Sequence, residues 1–355
     1  MTDNALANLL ISGVAGLTRD LINTLPVAWR HRPRTNNGYD FDDDQLVTAS
    51  KAAMLLSQPL ILAGEPGVGK TSFARALAHK LELPFLPPIH VKSTTSGMDL
   101  FYSFNEVARF RDASNPNSTA GLLDYVVLSS LGRAIVLSAG PDAVVRLTEK
   151  GPDALFGGAY HGLESSQDVT LGQLFAYVFR DAGDVSHPQR SIVLVDELDK
   201  APRDAPNDVL AEFEDMRFTI SELGITLQAA PETFPVVLIT SNSERSFPDA
   251  FLRRSVFHWI ETPTDARLCR IIASASAADG TLAPSDPLVT SAVDYFMMIR
   301  KTIENKKPST AELISFVSAL VAAGVQPTET ISDAHPKVRA FKGILMKTRI
   351  DLEAE

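Results

Sequence analysis

Cysteine is nearly absent from this chain: Cys269 is the single thiol among 355 residues. An intramolecular disulfide is therefore excluded, and a lone thiol fits a reducing compartment. Long apolar runs are missing too, since no stretch reaches the ~18 residues that a membrane-spanning helix needs. The apolar patch LANLLISGVAGL has no basic start, so a signal peptide is not expected. Positive charge is also in short supply, with 33 Lys and Arg against 43 Asp and Glu and a net charge of −10. That balance disfavours a broad nucleic-acid surface, though it leaves room for a local basic channel. No internal repeat and no low-complexity tract is present. The expectation is a cytoplasmic protein with no membrane contact.

What is there is ordinary globular text, 45% hydrophobic and 21% charged, long enough for two domains of roughly 100–200 residues each. Residues 1–40 hold an amphipathic pattern over Asp3–Leu25, followed by the basic connector WRHRPRTNNGYD. From Asp42 onward, helical and strand-like segments alternate. QLVTASKAAMLLSQ and KTSFARALAHKLEL have helical spacing, while PLILAG, PPIHVKS, SIVLVD and FPVVLITSN read as strands. Such alternation predicts a parallel sheet with helices on both faces. The segment 139–188 has scattered Gly and polar residues and reads as an insertion, and from Ala266 to Glu355 the text is wholly helical. The expected domains are a 1–40 extension, an α/β domain over 41–262 and a helical domain over 263–355.

Residues 60–73 read LILAGEPGVGKTSF, and GEPGVGKT matches G-x-x-x-x-G-K-[ST] between a strand and a helix. Glycines let successive backbone N–H groups turn inward around a phosphate chain, and the helix that follows adds its positive end. Gly64, Glu65, Pro66, Gly67, Val68, Gly69, Lys70, Thr71 and Ser72 are the expected nucleotide contacts. Lys70 would neutralise the β- and γ-phosphates, and the Thr71 hydroxyl would ligate Mg²⁺. A Gly-rich turn that happens to precede a helix is the plain alternative.

The apolar run in SIVLVDELDK ends at Asp196 and Glu197. Acids at the mouth of a buried strand need a cation or a hydrogen-bonding task, because an unpaired buried carboxylate is costly. Beside the phosphate loop, Asp196 would hold the magnesium and Glu197 would orient an attacking water. Asp199 and Lys200, in the same charged run, read as surface or interface residues with no catalytic task. A further strand in PVVLITSN ends on Thr240, Ser241 and Asn242. The Asn242 amide is placed to bond both a γ-phosphate and a water, although a turn cap is the commoner use of such an Asn. In FLRRS, Arg253 and Arg254 are adjacent, so on a helix they point ~100° apart and share no single task. One of them, offered to a neighbouring subunit, would accelerate hydrolysis; a salt bridge is the plain alternative.

GEPGVGKT, IVLVDELDKAPRD, ITSNSE and FLRRS, in that order, resemble the Walker A, Walker B, sensor 1 and arginine-finger elements of AAA+ ATPases. LLDYVVLSSLGRAIVL, PNDVLAEFEDMRFTISELG and SNSERSFPDAFLRRSVFHWIE are similar to the MoxR-like branch, which includes CbbQ/NorQ-type chaperones. The resemblance covers about residues 42–350. It implies an α/β P-loop NTPase fold, an αβα sandwich on a parallel five-stranded sheet followed by a small helical lid. It also implies ATP and Mg²⁺ as cofactors, a hexameric ring, and a client or partner carrying a von Willebrand factor A domain. By the resemblance Lys70 and Thr71 serve the phosphate loop, Asp196 and Glu197 the Walker B pair, and Asn242 sensor 1. Arg254 is the first choice for the finger and Arg253 the second. One departure is plain: the sensor 2 arginine position holds Ala311, with Lys306 and Lys307 nearby but differently spaced.

The segment TTSGMDLFYSFNEVARFRD interleaves Phe101, Tyr102, Phe104 and Phe110 with Arg109 and Arg111. Substrate contact and buried aromatic packing are both open for it. The leading expectation is an ATP-driven chaperone that remodels a protein. The competing ones are a nucleotide-gated scaffold in a defence or signalling complex and a DNA-directed motor working with a nuclease.

Overall fold

A computed structural model describes residues 39, 41–115, 118–147, 155, 168–276, 282–303 and 306–348. The expected helix over Asp3–Leu25, and much of the 139–188 segment, lie outside the described residues. The chain divides into two compact units. Of the described residues, one comprises those within 43–64 and 70–260, and the other groups 65–69 with those up to 42 and from 261 onward.

The larger unit is built on five parallel strands in the order β11–β1–β10–β7–β2. These are β1 (Leu60–Gly64), β2 (Ile89–His90), β7 (Ile192–Asp196), β10 (Val236–Ser241) and β11 (Val256–Ile260). Between them, among the described residues, lie three antiparallel hairpins: β3 (Tyr102–Phe104) with β4 (Val126–Leu128), β5 (Val144–Arg146) with β6 (Asp168–Thr170), and β8 (Arg217–Ile220) with β9 (Ile225–Gln228). Its main helices are α1 (Asp44–Leu56), α2 (Lys70–Lys80), α3 (Glu106–Ala113), α4 (Ser130–Ala139) and α5 (Leu210–Asp215).

The three central strands read as unbroken aliphatic runs because both faces are covered. Leu60, Ile61 and Leu62 of β1, Ile192 to Val195 of β7, and Leu238 and Ile239 of β10 have no solvent exposure. Each such side chain contributes about 1.5–3 kcal/mol relative to leaving it in water. Register pairs Ala63 with Ser241 and Ile239 with Val195. The carboxyl ends of β1, β10 and β7 therefore finish level, on one edge.

This is an α/β fold, a parallel five-stranded sheet flanked by helices, with a helical C-terminal region. It departs from the sequence reading in detail. PPIHVKS forms only the two-residue β2, because its prolines remove ladder donors. The fifth strand, VFHWI, was not among those read from periodicity. As an edge strand it alternates half-covered and exposed residues, with Phe257 and Trp259 outward.

The aromatic segment divides. Phe101 and Tyr102 are core residues, with Phe101 stacked on Phe218 at 5.2 Å between ring centroids. Phe104 is half-buried, capped by the Arg109 guanidinium 5.9 Å from its ring centroid. Only Phe110, on α3 and 79% exposed, keeps its ring in solvent.

Among the described residues the smaller unit carries four helices, α6 (Asp265–Ser276), α7 (Pro287–Thr302), α8 (Thr310–Ala322) and α9 (Pro336–Leu345). Their buried faces share a core that includes Leu268, Leu288, Phe296, Phe316 and Val338. α8 starts on a capping box, in which Ser309 N–H donates to Glu312 Oε2 at 2.7 Å and Glu312 N–H donates back to Ser309 Oγ. That reciprocal bonding fills two of the donors a helix start leaves open.

Candidate nucleotide site

In doubly wound sheets, ligands bind beyond the carboxyl ends of the strands, where the strand order reverses. Here the order reverses at β1: the chain leaves β1 for β2 at the far edge, returns through β7 and β10, and crosses β1 to reach β11. Asp196, Glu197 and Asn242 stand at that edge because they end or directly follow these strands, and Lys70 and Thr71 open the helix that follows β1. Arg253 and Arg254 instead precede β11, whose first residue pairs with Leu60 at the opposite edge of the sheet.

Lys70 opens α2 and is 7% exposed. Its ammonium donates to the Gly64 carbonyl at 2.7 Å and to Asn242 Oδ1 at 2.8 Å. Burial depresses its pKa, opposed by the charges of Asp199, Asp196 and Glu197. Asn242, one residue past β10, donates through Nδ2 to Glu197 Oε1 at 2.7 Å. A single amide thus spans the lysine of the phosphate loop and the second acid of β7.

Thr71 Oγ1 donates to Asp196 Oδ1 over 3.4 Å. Thr240, fully buried in β10, donates to the same oxygen at 2.6 Å and accepts the Glu197 N–H at 2.8 Å. Those bonds hold the strand end where Glu197 takes a left-handed backbone, φ +60°. A non-glycine residue in that region is strained and needs surrounding support. The Glu197 carboxylate also accepts from Lys200 Nζ, and this bond first, then the Lys200 charge and Asn242, hold its pKa below the usual carboxylate value against desolvation.

The donor set suits magnesium. Asp196 and Thr71 present hard oxygens within reach of each other, and Mg²⁺ takes few protein ligands while keeping its waters. Among the described residues no cluster of three or more His, Cys, Asp or Glu forms a metal cage, as a water-rich Mg²⁺ site does not require one. His90 Nδ1 lies 3.4 Å from the other Asp196 oxygen.

One sequence expectation is corrected. Asp199, read as a surface residue, is only 4% exposed. Its Oδ2 accepts the backbone N–H groups of Asn242 and Glu244, both at 3.1 Å. Lys200 is partly exposed, as expected, yet it meets Glu197 rather than solvent alone. In a mixed-charge run an Asp reads as solvated by default; its true partners lie just past the end of β10, 43 and 45 positions away.

Residues 65–69 belong with the helical unit. Gly67 and Gly69 have φ of +80° and +102°, which only glycine adopts without strain. A Cβ on Gly67 would also stand 2.4 Å from Ser309 Cβ, at the start of α8. Pro66 is exposed and Val68 is buried beneath the loop. Glu65 accepts from Thr262 Oγ1 at 3.3 Å and pairs with Arg300 of α7. The Arg300 hydrogen bond is the chief reason that the Glu65 pKa is lowered. Arg300 is 11% exposed in its side chain and also donates to the Pro308 carbonyl. Ala311, at the position where the resemblance expects a sensor 2 arginine, is exposed on α8; the cation that pairs with Glu65 is Arg300, which no sequence signal marks.

Of the two arginines after β10, Arg254 donates to Glu214 Oε2 at 3.0 Å and to the Ala250 carbonyl at 3.3 Å. Arg253 is exposed, and among the described residues its guanidinium makes no hydrogen bond or ion pair.

A family model for the ATPase family associated with various cellular activities (AAA) matches residues 60–115. The match supports an AAA+ ATPase. It takes in β1, the glycine-rich loop, α2, β2, β3 and α3. Comparison with curated proteins finds no match. Among the described residues no helix is long and apolar enough to cross a membrane.

Proposed function

We propose that this chain is a ring-forming, ATP-hydrolysing AAA+ chaperone of the MoxR-like type that remodels or activates a protein partner. The observation that carries the hydrolytic part is the Lys70–Asn242–Glu197 bridge at the switch point of the sheet. Lys70 and the loop N–H groups bind the phosphates. Asn242 aligns the γ-phosphate with the attacking water, and Glu197 orients that water and draws on its proton. Phosphoryl transfer depends on such positioning and charge stabilisation more than on covalent chemistry. Mg²⁺, held by Thr71 and Asp196, would supply charge neutralisation at the phosphate oxygens.

A neighbouring protomer completes the site with an arginine. Arg253 is the better choice because Arg254 already serves Glu214 within its own chain. Such an arginine is worth roughly 10³–10⁵ in rate, so turnover per protomer rises steeply as protein concentration passes the assembly range. Concentration-independent turnover by a dilute monomer would remove the ring mechanism. Absence of saturable, Lys70-dependent uptake of ATP would remove the ATPase reading altogether.

One observation favours a second reading, a nucleotide-gated scaffold with little turnover. Each Glu197 carboxylate oxygen already accepts a hydrogen bond, one from Asn242 and one from Lys200, which draws charge off the carboxylate and weakens its pull on a water proton. Single-turnover hydrolysis separates the two readings: a scaffold retains ATP over many minutes, an ATPase does not.

A further inference from the structure

The charged run after β7 contains a carboxylate that neither the nucleotide nor the metal accounts for. Asp199 lies in a 3₁₀ turn, Leu198–Lys200, and is almost completely buried. Its Oδ2 accepts two N–H groups, those of Asn242 and Glu244. Oδ1 has no hydrogen-bond partner among the described residues. Burying a carboxylate costs several kcal/mol unless hydrogen bonds and opposite charge offset it, so an Asp held here needs a task. Leucine or asparagine would fill the space at lower electrostatic cost.

The backbone it grips explains the task. Ser243, between the two donors, is left-handed at φ +59°. A left-handed residue turns flanking N–H groups toward one point, the geometry with which backbones bind anions. Ser243 N–H itself donates to Ser241 Oγ at 2.9 Å, and Arg245 Nη1 donates to the Ala201 carbonyl at 3.2 Å. The strand end and the turn after β7 are therefore fastened at several points, with the Asp199 carboxylate at the centre.

The geometry points to Asp199 as a positioning residue for catalysis: it fixes the backbone of Asn242 so that the amide bridges Lys70 and Glu197. Without it, the Ser243 strain is released by rotation of the loop, and the Asn242 side chain leaves the 2.7–2.8 Å positions that it now occupies. Asp199 makes no hydrogen bond to Lys70 or Glu197, so its positioning effect passes through Asn242 and appears in the chemical step.

This inference rests on the ATPase reading, and one double-mutant cycle tests the two separately. Steady-state hydrolysis and equilibrium binding of a fluorescent ATP analogue are measured for wild type, N242A, D199A, D199N and D199A/N242A in the assembled protein. The expected pattern is a kcat loss of at least tenfold in D199A, with analogue affinity within about threefold of wild type. D199A/N242A should be no slower than N242A by more than about twofold, because the first change acts through the second. D199N keeps an acceptor but no charge and should fall between wild type and D199A.

A D199A rate within twofold of wild type, or losses that multiply with those of N242A, would overturn the proposal. If D199A shows no cooperative melting transition, D199N decides, and a wild-type kcat in D199N overturns the role. A wild-type rate in N242A, by contrast, would strike at the ATPase site itself rather than at Asp199.

Discussion

The Lys70 ammonium donates to Asn242 Oδ1 at 2.8 Å across 172 positions of sequence. That bond joins the helix after β1 to the end of β10, and the opposite edge of the same amide bonds Glu197. Removing the lysine and removing the amide should therefore fail differently. K70A should lose saturable nucleotide binding, since the buried cation is the chief neutraliser of phosphate charge there. N242A should keep binding within about threefold yet lose roughly 10–100-fold in kcat, on the scale of one positioned hydrogen-bonding group. Binding isotherms beside steady-state rates check both, and equal losses of affinity in the two variants would contradict the assignment.

With Glu197 as the proposed base, Lys200 should set the acid limit of activity. Its hydrogen bond is the largest reason that the Glu197 pKa lies below the ordinary carboxylate value. A base with a depressed pKa stays ionised to lower pH, so activity in the wild type should persist below the usual carboxylate range. In K200A, Glu197 protonates at higher pH and the acid limb of the kcat/KM profile should move upward. Asn242 still donates to Glu197, so the move is partial. A pH–rate profile with an unmoved acid limb would show that Lys200 does not tune this base.

The Glu65–Arg300 pair joins the phosphate loop to α7 inside the smaller unit. The Glu65 pKa is depressed chiefly by the Arg300 hydrogen bond. The pair's contribution to stability is therefore full above the unfolded carboxylate pKa and is lost as pH falls through the lower folded value. R300A should melt below wild type at neutral pH, and the gap should narrow in acid. It should not close, because Arg300 also donates to the Pro308 carbonyl. Paired thermal melts at neutral and acid pH test this, and a pH-independent gap would assign the whole effect to packing.

Arg253 and Arg254 should separate on mutation. R254A breaks the Glu214 pair, which is exposed on both sides, and such pairs contribute about 0–1 kcal/mol. Its stability should barely change. R253A should leave ATP binding intact, lower kcat by at least tenfold and abolish the rise of turnover with protein concentration. Mixing R253A with K70A protomers offers a sharper check. Intact loops then meet intact arginines across mixed interfaces, and activity should partly return.

G67A tests the loop itself. Alanine there meets both a left-handed backbone and Ser309, so the variant should lose stability and nucleotide affinity together. Melting alongside analogue binding would show it, and a wild-type result in both would mean that the loop and Ser309 yield more easily than this geometry allows.

Much of the fold is legible without coordinates, for a physical reason. A strand covered on both faces must be aliphatic throughout, so LILAG, IVLVD and VVLITS announce themselves, and a phosphate loop needs glycines at fixed spacing before a lysine. Gly64 to Thr71, Asp196, Glu197 and Asn242 were all named on that basis. The hairpins were harder to see. Their strands are three or four residues long, which is too short for a period to emerge.

The sequence by itself determined the elements whose signals are local: buried runs, helix faces, and the loop in which chemistry and spacing coincide. Tertiary structure alone decided which charges are paired. DELDK presents four charges in five residues, and nothing local distinguishes the acid that meets solvent from the one gripped by two N–H groups of a distant strand end. Arg300 is likewise one of many helical cations until the fold sets it against Glu65. A charge is stabilised by whatever lies within a few ångströms of it, and chain folding, not chain order, chooses those neighbours.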